Sequence, residues 1–491
     1  MHDALMSERI SQALCCATDS LRGVAEPMLS KDLVLVMVFW KYISDCEADL
    51  TASGGASDQA SHLLVPARAS FHTLRRQIHE PEPAKRIHAA FAQIEAANGA
   101  KWGGVLQHLR VDAPWLGTQD SQEAVLRKLM DFFDTPDLNF RPSQLDANVL
   151  SRAVELYVGH VVTQSAENAD EFNTATELCE LMSALMAPKV GEDICDPACG
   201  LGFLLLKCGQ QVQRSGGGHD YRLFGQDKNG VNAALAHLIL YMSGERDFEL
   251  KQGDTLRQPM LLDRSGLLQT FDVVVSNPPF SLQHWGHDQA SHDAFGRFNR
   301  GVPPPSKGDY AFISHMVATL KPSTGRMAVL VPHGVLFRGA AEGQIRRKLI
   351  EDGLVDAVIG LPPKLLHSSA IPMALLVLRK QKADDKVLFM DASRDFTPGK
   401  AFFNGLAAEH IERLVDVYLA RHSVPGLAHL ATPEEIANHD HSLHIPKYVQ
   451  TAVHRDEIDI QAVRAERQQL QMELVGLEAA LARCLREAGH A

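Results

Sequence analysis

Apolar residues change their spacing twice along this chain of 491 residues. Up to about residue 165 they recur with the period of helices. Ser7 to Leu21, Ser30 to Leu50, Pro83 to Asn98, Ser121 to Phe133 and Asp146 to Gln164 read as helical, and Arg22-Gly23 and Pro27 separate the first two. The strip Leu33-Val34-Leu35-Val36-Met37-Val38-Phe39-Trp40 is apolar on all sides, which predicts a buried helix in preference to a strand. Gly54 to Ser61 reads as a small, polar loop. From about Asn168, short β-branched runs alternate with helical stretches. The predicted strands are Asp193–Cys195, Arg222–Gly225, Phe248–Lys251, Phe271–Val275, Gly325–Val331, Val355–Gly360, Ile371–Leu378 and Val387–Phe389. The predicted helices between them are Phe203–Arg214, Gly230–Met242, Asp309–Leu320 and Gly339–Glu351. Such alternation builds an α/β fold, a mostly parallel sheet covered on both faces. After about Leu406 the pattern is helical again. Its last stretch places Val463, Leu470, Leu474, Leu477, Leu481 and Cys484 on one seam, which suits a partner helix and equally suits packing on its own domain.

These shifts divide the chain into a helical region 1–165, an α/β region 166–410 and a helical region 411–491. Composition is that of a soluble globular protein. No signal peptide or membrane span is read, since the run Leu33 to Trp40 is too short to cross a bilayer. Eight cysteines are scattered without Cys-x-x-Cys spacing, which argues against a metal site and for reduced thiols in the cytoplasm. His72, His79, His88 and His108 do not cluster and read as surface or core residues. The formal net charge is −12. A chain that grips a polyanion unaided usually carries a basic surface, so any nucleic-acid partner needs cations from elsewhere.

Chemistry gathers at the predicted strand ends. Asp193-Ile-Cys-Asp-Pro-Ala-Cys-Gly-Leu-Gly-Phe203 is a strand, a glycine turn and a helix start. Gly200 and Gly202 clear side chains from a ligand's approach, and Asp196 can hold a cationic amino group. A dinucleotide site prefers a third glycine where Leu205 stands. The pattern therefore fits an amino-acid-bearing cofactor such as S-adenosylmethionine. The next strands end at Asp227 and Asp254, placed to take ribose hydroxyls and an adenine amine, or merely to cap their turns. The fourth runs from Asp272 into Ser276-Asn-Pro-Pro-Phe280, where two prolines stop it. There the amide of Asn277 and the carbonyl of Pro278 can accept both hydrogens of an amine, with Phe280 stacked on its ring. Cys195 and Cys199 read as packing residues. Arg297, Arg300 and Lys307 flank a Gly/Pro-rich loop that reads equally as a substrate cover or as a solvated loop.

The combined pattern resembles the modification subunit of type I restriction–modification systems, an adenine-N6 DNA methyltransferase. Asp196-Pro197-Ala-Cys-Gly200 looks like that family's cofactor loop and Asn277-Pro278-Pro279-Phe280 like its catalytic loop. Asp19-Ser-Leu-Arg-Gly23, Pro304 to Phe312, Val331 to Gly339 and Val358 to Pro362 are similar to further family stretches. The resemblance implies a Rossmann-like S-adenosylmethionine-dependent methyltransferase domain between an N-terminal helical domain and a C-terminal helical tail. It implies that Phe172, Thr174 and Glu177 serve the cofactor with Asp196, Pro197, Gly200, Gly202, Asp227, Asp254 and Asn277. Phe172-Asn-Thr-Ala175 departs from the family's usual Phe-Tyr-Thr-Pro, and Leu201 stands where Thr or Ser is common. The implied partners are double-stranded DNA, a specificity subunit bound by two modification subunits, and a restriction/translocase subunit. An oxidoreductase using the glycine turn for NAD leaves Asn-Pro-Pro-Phe unexplained. A catalytically degenerate scaffold of the same fold is the other alternative.

Overall fold

A computed structural model describes residues 2–23, 27–52, 62–99, 101–164, 174–366, 371–398, 404–450 and 460–487. The loop expected at 54–61 and Phe172 lie outside the described residues. The chain forms two compact units, residues 1–449 and 450–491.

The first unit begins with α1 (His2–Asp19), α2 (Pro27–Ala52), α3 (Phe71–Arg76), α4 (Pro83–Asn98), α5 (Gln119–Phe133) and α6 (Ala147–Gln164). The apolar strip of α2 is buried from Leu33 to Trp40, as its all-round hydrophobicity requires. Trp40 packs edge-on against Phe71 and Phe91 while its indole N–H donates to the carbonyl of Ala69 at 2.9 Å. Phe39 stacks on Trp102, and Trp102 meets Tyr241 and His237. Those last two residues belong to a helix of the α/β region. One continuous apolar core therefore runs from Ile10 through α2 to the sheet, and the helical region is bonded to its neighbour by the apolar face that it would otherwise expose.

After α7 (Thr176–Met186) come β1 (Asp193–Asp196), α8 (Phe203–Val212), β2 (Arg222–Asp227), α9 (Gly230–Met242), β3 (Phe248–Gln252), β4 (Val273–Ser276), α10 (His287–Ala290), α11 (Asp309–Ala318), β5 (Arg326–Pro332), α12 (Ala340–Glu351), β6 (Val355–Gly360), β7 (Met373–Arg379) and β8 (Val387–Asp391). All eight predicted strands are present. The fourth starts two residues later than expected because Phe271 forms an isolated bridge to Leu320 ahead of the ladder. The sheet also contains β11 (Ala428–Ala431), so its order is β11-β8-β6-β7-β5-β4-β1-β2-β3, with β7 antiparallel between β5 and β6. From β1 the order runs one way to β3 and the other way through β4, so the topological switch point lies between β1 and β4. Open α/β sheets bind ligands at such a point, outside the carboxyl ends of the strands.

The remaining elements are β9 (Thr397–Pro398) paired with β10 (Asn404–Gly405), then α13 (Ala408–Ala420), β11 (Ala428–Ala431), α14 (Pro433–Asn438) and α15 (Ile460–Glu487). The boundary expected at 410 falls inside the first unit. β11 adds antiparallel to β8, and Tyr448 stacks on Phe389 with ring centroids 3.7 Å apart, so residues 411–449 cover the sheet's edge and face. Four residues with little alternation, Ala-His-Leu-Ala, gave no strand signal; pairing with β8 supplies it. α15 forms most of the second unit, and Leu470, Leu474, Leu477 and Leu481 are exposed along it. No described helix is long and apolar enough to cross a membrane.

Candidate active site

At the carboxyl ends of β1 to β4 lies a cavity of about 390 Å³. Its walls include Thr174, Asp196, Pro197, Gly200, Asp227, Asp254, Asn277 and Pro279, eight of the residues singled out from the sequence. The turn after β1 is held by carboxylates. Asp196 Oδ1 accepts from the N–H of Ala198 at 2.9 Å and from the hydroxyl of Ser276 at 2.8 Å. Asp227, from β2, accepts from the N–H of Gly200 at 2.9 Å and of Asn229 at 2.8 Å. Neither has a cationic partner among the described residues. Burial pushes the Asp196 carboxyl up to about 7 against those hydrogen bonds, and the charge of Asp227 adds to the rise. Burial raises Asp227 as well. Two desolvated carboxylates without a cation are costly unless a ligand completes them. A donor set of this kind fits a cationic ammonium and a pair of hydroxyls, the groups of S-adenosylmethionine, and does not fit a pyrophosphate.

Asn277 closes the cavity at the end of β4. Its amide Nδ2 donates to Thr174 Oγ1 at 3.0 Å, and its Oδ1 is buried with no hydrogen-bond partner among the described residues. A buried unpaired acceptor costs on the order of 1–3 kcal/mol, which a donor arriving from the cavity would recover. Thr174 thus holds the amide nitrogen and leaves the oxygen free. Pro278 is buried beside it, whereas Phe280 rests half-buried against the main apolar core and is not on the cavity wall.

Other expected residues stand apart. Gly202 has φ 79°, and a Cβ there would meet Ala236 of α9 at 3.3 Å, so its glycine serves the turn and helix packing and is not on the wall. The close strand–helix approach comes instead at Gly225, where a Cβ would sit 3.1 Å from Leu205. Glu177 faces a neighbouring groove with Arg152, Glu155 and Glu180. Asp254 caps its own turn through the N–H groups of Leu256 and Arg257 and meets the exposed Lys228 at 3.0 Å. Arg297 is no substrate cover. It is buried, paired with Asp293 at 2.8 Å and bonded to the carbonyls of Thr255 and Leu256, a brace for the wall. Arg300 pairs with Asp352 at 2.7 Å. Burial pushes the thiols of Cys195 and Cys199 well up, in keeping with packing roles. The sequence reading missed Lys228, Asn229, Thr255, Leu282 and Phe312 on the wall. Lys228 and Asn229 directly follow Asp227, which was signal enough; Phe312 ends the stretch that begins at Pro304, and Leu282 carries no local mark.

The sheet order, with its switch point at β1/β4 and the antiparallel β7, is that of the Rossmann-like methyltransferases. Residues 145–457 match the N-6 DNA Methylase family model, so the chain belongs to the N-6 DNA methylase family, and residues 10–133 match the HsdM N-terminal domain. The type I restriction enzyme MpnII methylase subunit of Mycoplasma pneumoniae is 29% identical over 496 aligned positions, covering 91% of this chain and 90% of the relative. The MjaVII methylase subunit of Methanocaldococcus jannaschii is 28% identical over 349 residues, covering 68% of this chain; the chain spans only 58% of that relative's length. A crystal structure of the type I restriction-modification system methyltransferase subunit from Streptococcus thermophilus superposes with a TM-score of 0.77 at 28% identity, over 90% of this chain and 99% of that one.

Proposed function

We propose that this chain methylates the exocyclic N6 of an adenine flipped out of double-stranded DNA, as the modification subunit of a type I restriction–modification complex. The observation that carries the reading is the unpartnered acceptor of Asn277, held by Thr174 at the mouth of a cavity with two cation-free carboxylates. When bound, S-adenosylmethionine supplies an electrophilic methyl group, so no covalent enzyme nucleophile is needed. Asn277 Oδ1 and the carbonyl of Pro278 would accept the two amine hydrogens and so orient the nitrogen's lone pair; Pro279 keeps the loop rigid. Phe280 stacks on the base after turning out of its core contact. Asp196 would hold the ammonium, Asp227 the ribose hydroxyls, and Asp254, paired here with Lys228, the adenine amine. Pro197 and Gly200 line the cofactor's approach, while Phe172, Glu177 and Gly202 support it through the flanking segments. Extrusion of the base from the duplex costs a few kcal/mol, which contacts outside the pocket must supply.

The net charge of −12 and the exposed apolar seam of α15 support a division of labour. A specificity subunit, shared by two modification subunits, reads the target and docks the C-terminal helix; a restriction/translocase subunit adds cleavage. The test is a methylation assay on adenine-containing duplex with that subunit present, beside calorimetry with S-adenosylmethionine and with NAD. Asn277→Ala should lower the rate about 100- to 1,000-fold, as for other preorganised transition-state partners, with cofactor affinity within a few-fold. NAD binding in place of S-adenosylmethionine would point to the oxidoreductase alternative, and cofactor binding without methylation to the scaffold.

A further inference from the structure

A second cavity, of about 720 Å³, opens where the chain leaves β5 and enters α12, again on the carboxyl edge of the sheet. β4 and β5 are paired in parallel register, Ser276 opposite Val329, so the catalytic loop and this segment leave neighbouring strands. Arg346, Arg347 and Lys447 line the cavity against a single carboxylate, Asp440. In a chain of net charge −12 that local excess is unusual. Arg347 and Lys447 are exposed, and neither pairs with a carboxylate among the described residues. Arg346 is 4% exposed; its guanidinium is clamped by the carbonyls of His441, Val335 and Arg338 at 3.0, 3.3 and 2.8 Å.

Two features leave that wall open to an anion. Gly343 lies inside α12, where glycine is disfavoured relative to alanine, and a Cβ there would stand 3.7 Å from Nη2 of Arg346. Gly339 provides no side-chain cap, so the first N–H groups of α12 remain available. Phe337, 49% exposed, stands at the rim with its ring centroid 5.0 Å from that of His444, an apolar surface for a sugar. The cavity is also wired to the catalytic loop. The N–H of Ser281 donates to Asp309 at 2.7 Å, Asp309 pairs with Arg338 at 3.0 Å, and the carbonyl of Arg338 receives Arg346.

We propose that this cavity grips a phosphodiester of the DNA backbone beside the nucleotide held at Asn277, and through Asp309 and Arg338 steadies the loop that bears it. The inference rests on the methyltransferase reading, to which it adds a phosphate site. Cations spread over α12 and the 444–447 segment, with an aromatic rim, suit a sugar–phosphate chain better than a free phosphate.

The experiment uses the full chain and a short fluorescent duplex, titrated by anisotropy across a range of salt. The double variant Arg347→Gln/Lys447→Gln should bind roughly 10-fold more weakly at low salt and lower the slope of log affinity against log salt by about 1, the release expected for one lost phosphate contact. S-adenosylmethionine affinity should not change. Gly343→Ala, which favours the helix yet covers Arg346, should weaken duplex binding in the same direction without lowering Tm. Inorganic phosphate and adenosine monophosphate should compete only weakly. No duplex binding by the wild type, an unaltered slope in the double variant, or displacement of duplex by low concentrations of either small anion would each overturn the phosphate site. Unaltered slopes with normal methylation overturn this inference alone; altered slopes in a chain that binds cofactor but never methylates, even with its specificity subunit, overturn the methyltransferase reading alone.

Discussion

β1 begins and ends with aspartate, and the two ends of this one strand have opposite electrostatics. At its amino end Asp193 pairs with Arg222 at 2.7 Å and Lys321 at 3.0 Å, and Lys321 also reaches Asp272 at 2.6 Å. Burial would raise the Asp272 carboxyl, but Lys321 and Thr324 outweigh it and hold it below the usual range. At the carboxyl end Asp196 is just as buried and receives, among the described residues, only an N–H and a hydroxyl, so burial lifts its carboxyl to about 7. Buried carboxylates matched by cations hold strands together. Those left short of a cation are incomplete, and they sit where the sheet's topology collects ligands.

The difference can be broken from either end. The largest effect is expected at the paired end: Asp272→Ala leaves Lys321 short of a partner and the N–H of Asp193 unbonded, and should cost about 3–5 kcal/mol of unfolding free energy by denaturant titration. Cofactor affinity of the folded fraction should be unaltered; a selective loss of affinity would erase the distinction between the ends. At the other end, Asp227→Ala should weaken S-adenosylmethionine by about 1.5–3 kcal/mol, read by calorimetry, and leave Tm within a few degrees. Equal damage to stability would make Asp227 a structural residue like Asp272.

Smallest over a single step is the pH dependence, read one pH unit at a time. With its folded carboxyl near 7 and an unfolded value near 3.8, Asp196 keeps a proton in the fold that the unfolded chain has lost. Its contribution to stability is therefore full below the unfolded value and is lost as pH rises through 7, with a slope of up to about 1.4 kcal/mol per pH unit. Cofactor affinity should run the other way, falling about 10-fold for each unit below 7, because an ammonium needs the ionised carboxylate. Asp196→Asn should flatten both profiles. A wild-type affinity independent of pH between 5 and 7 would place the ammonium elsewhere.

Much of this molecule is determined by local sequence. The strands and helices of the α/β region follow from β-branched runs and helical spacing, because each element must bury an apolar face of its own period. Asn277-Pro278-Pro279 ends β4 because proline cannot continue the ladder, and the all-round apolar strip of α2 dictates its burial. The order of the motifs along the chain also placed Asp196, Asp227, Asp254 and Asn277 at one edge of the sheet. What local sequence leaves open is partnership. Asp193 and Asp196 are the same residue three positions apart, and only the fold brings Lys321 to one and none to the other. Arg297 and Arg347 are the same residue in different stretches, yet the fold buries the first against Asp293 and leaves the second at an open cavity. β11 exists because β8 offers an edge, and Gly202 is required by Ala236 of α9 as well as by its turn. Backbone pattern is a local property, set by sterics and apolar period. Charge pairing, burial and cavity walls are sums over residues far apart in sequence, and only tertiary structure decides them.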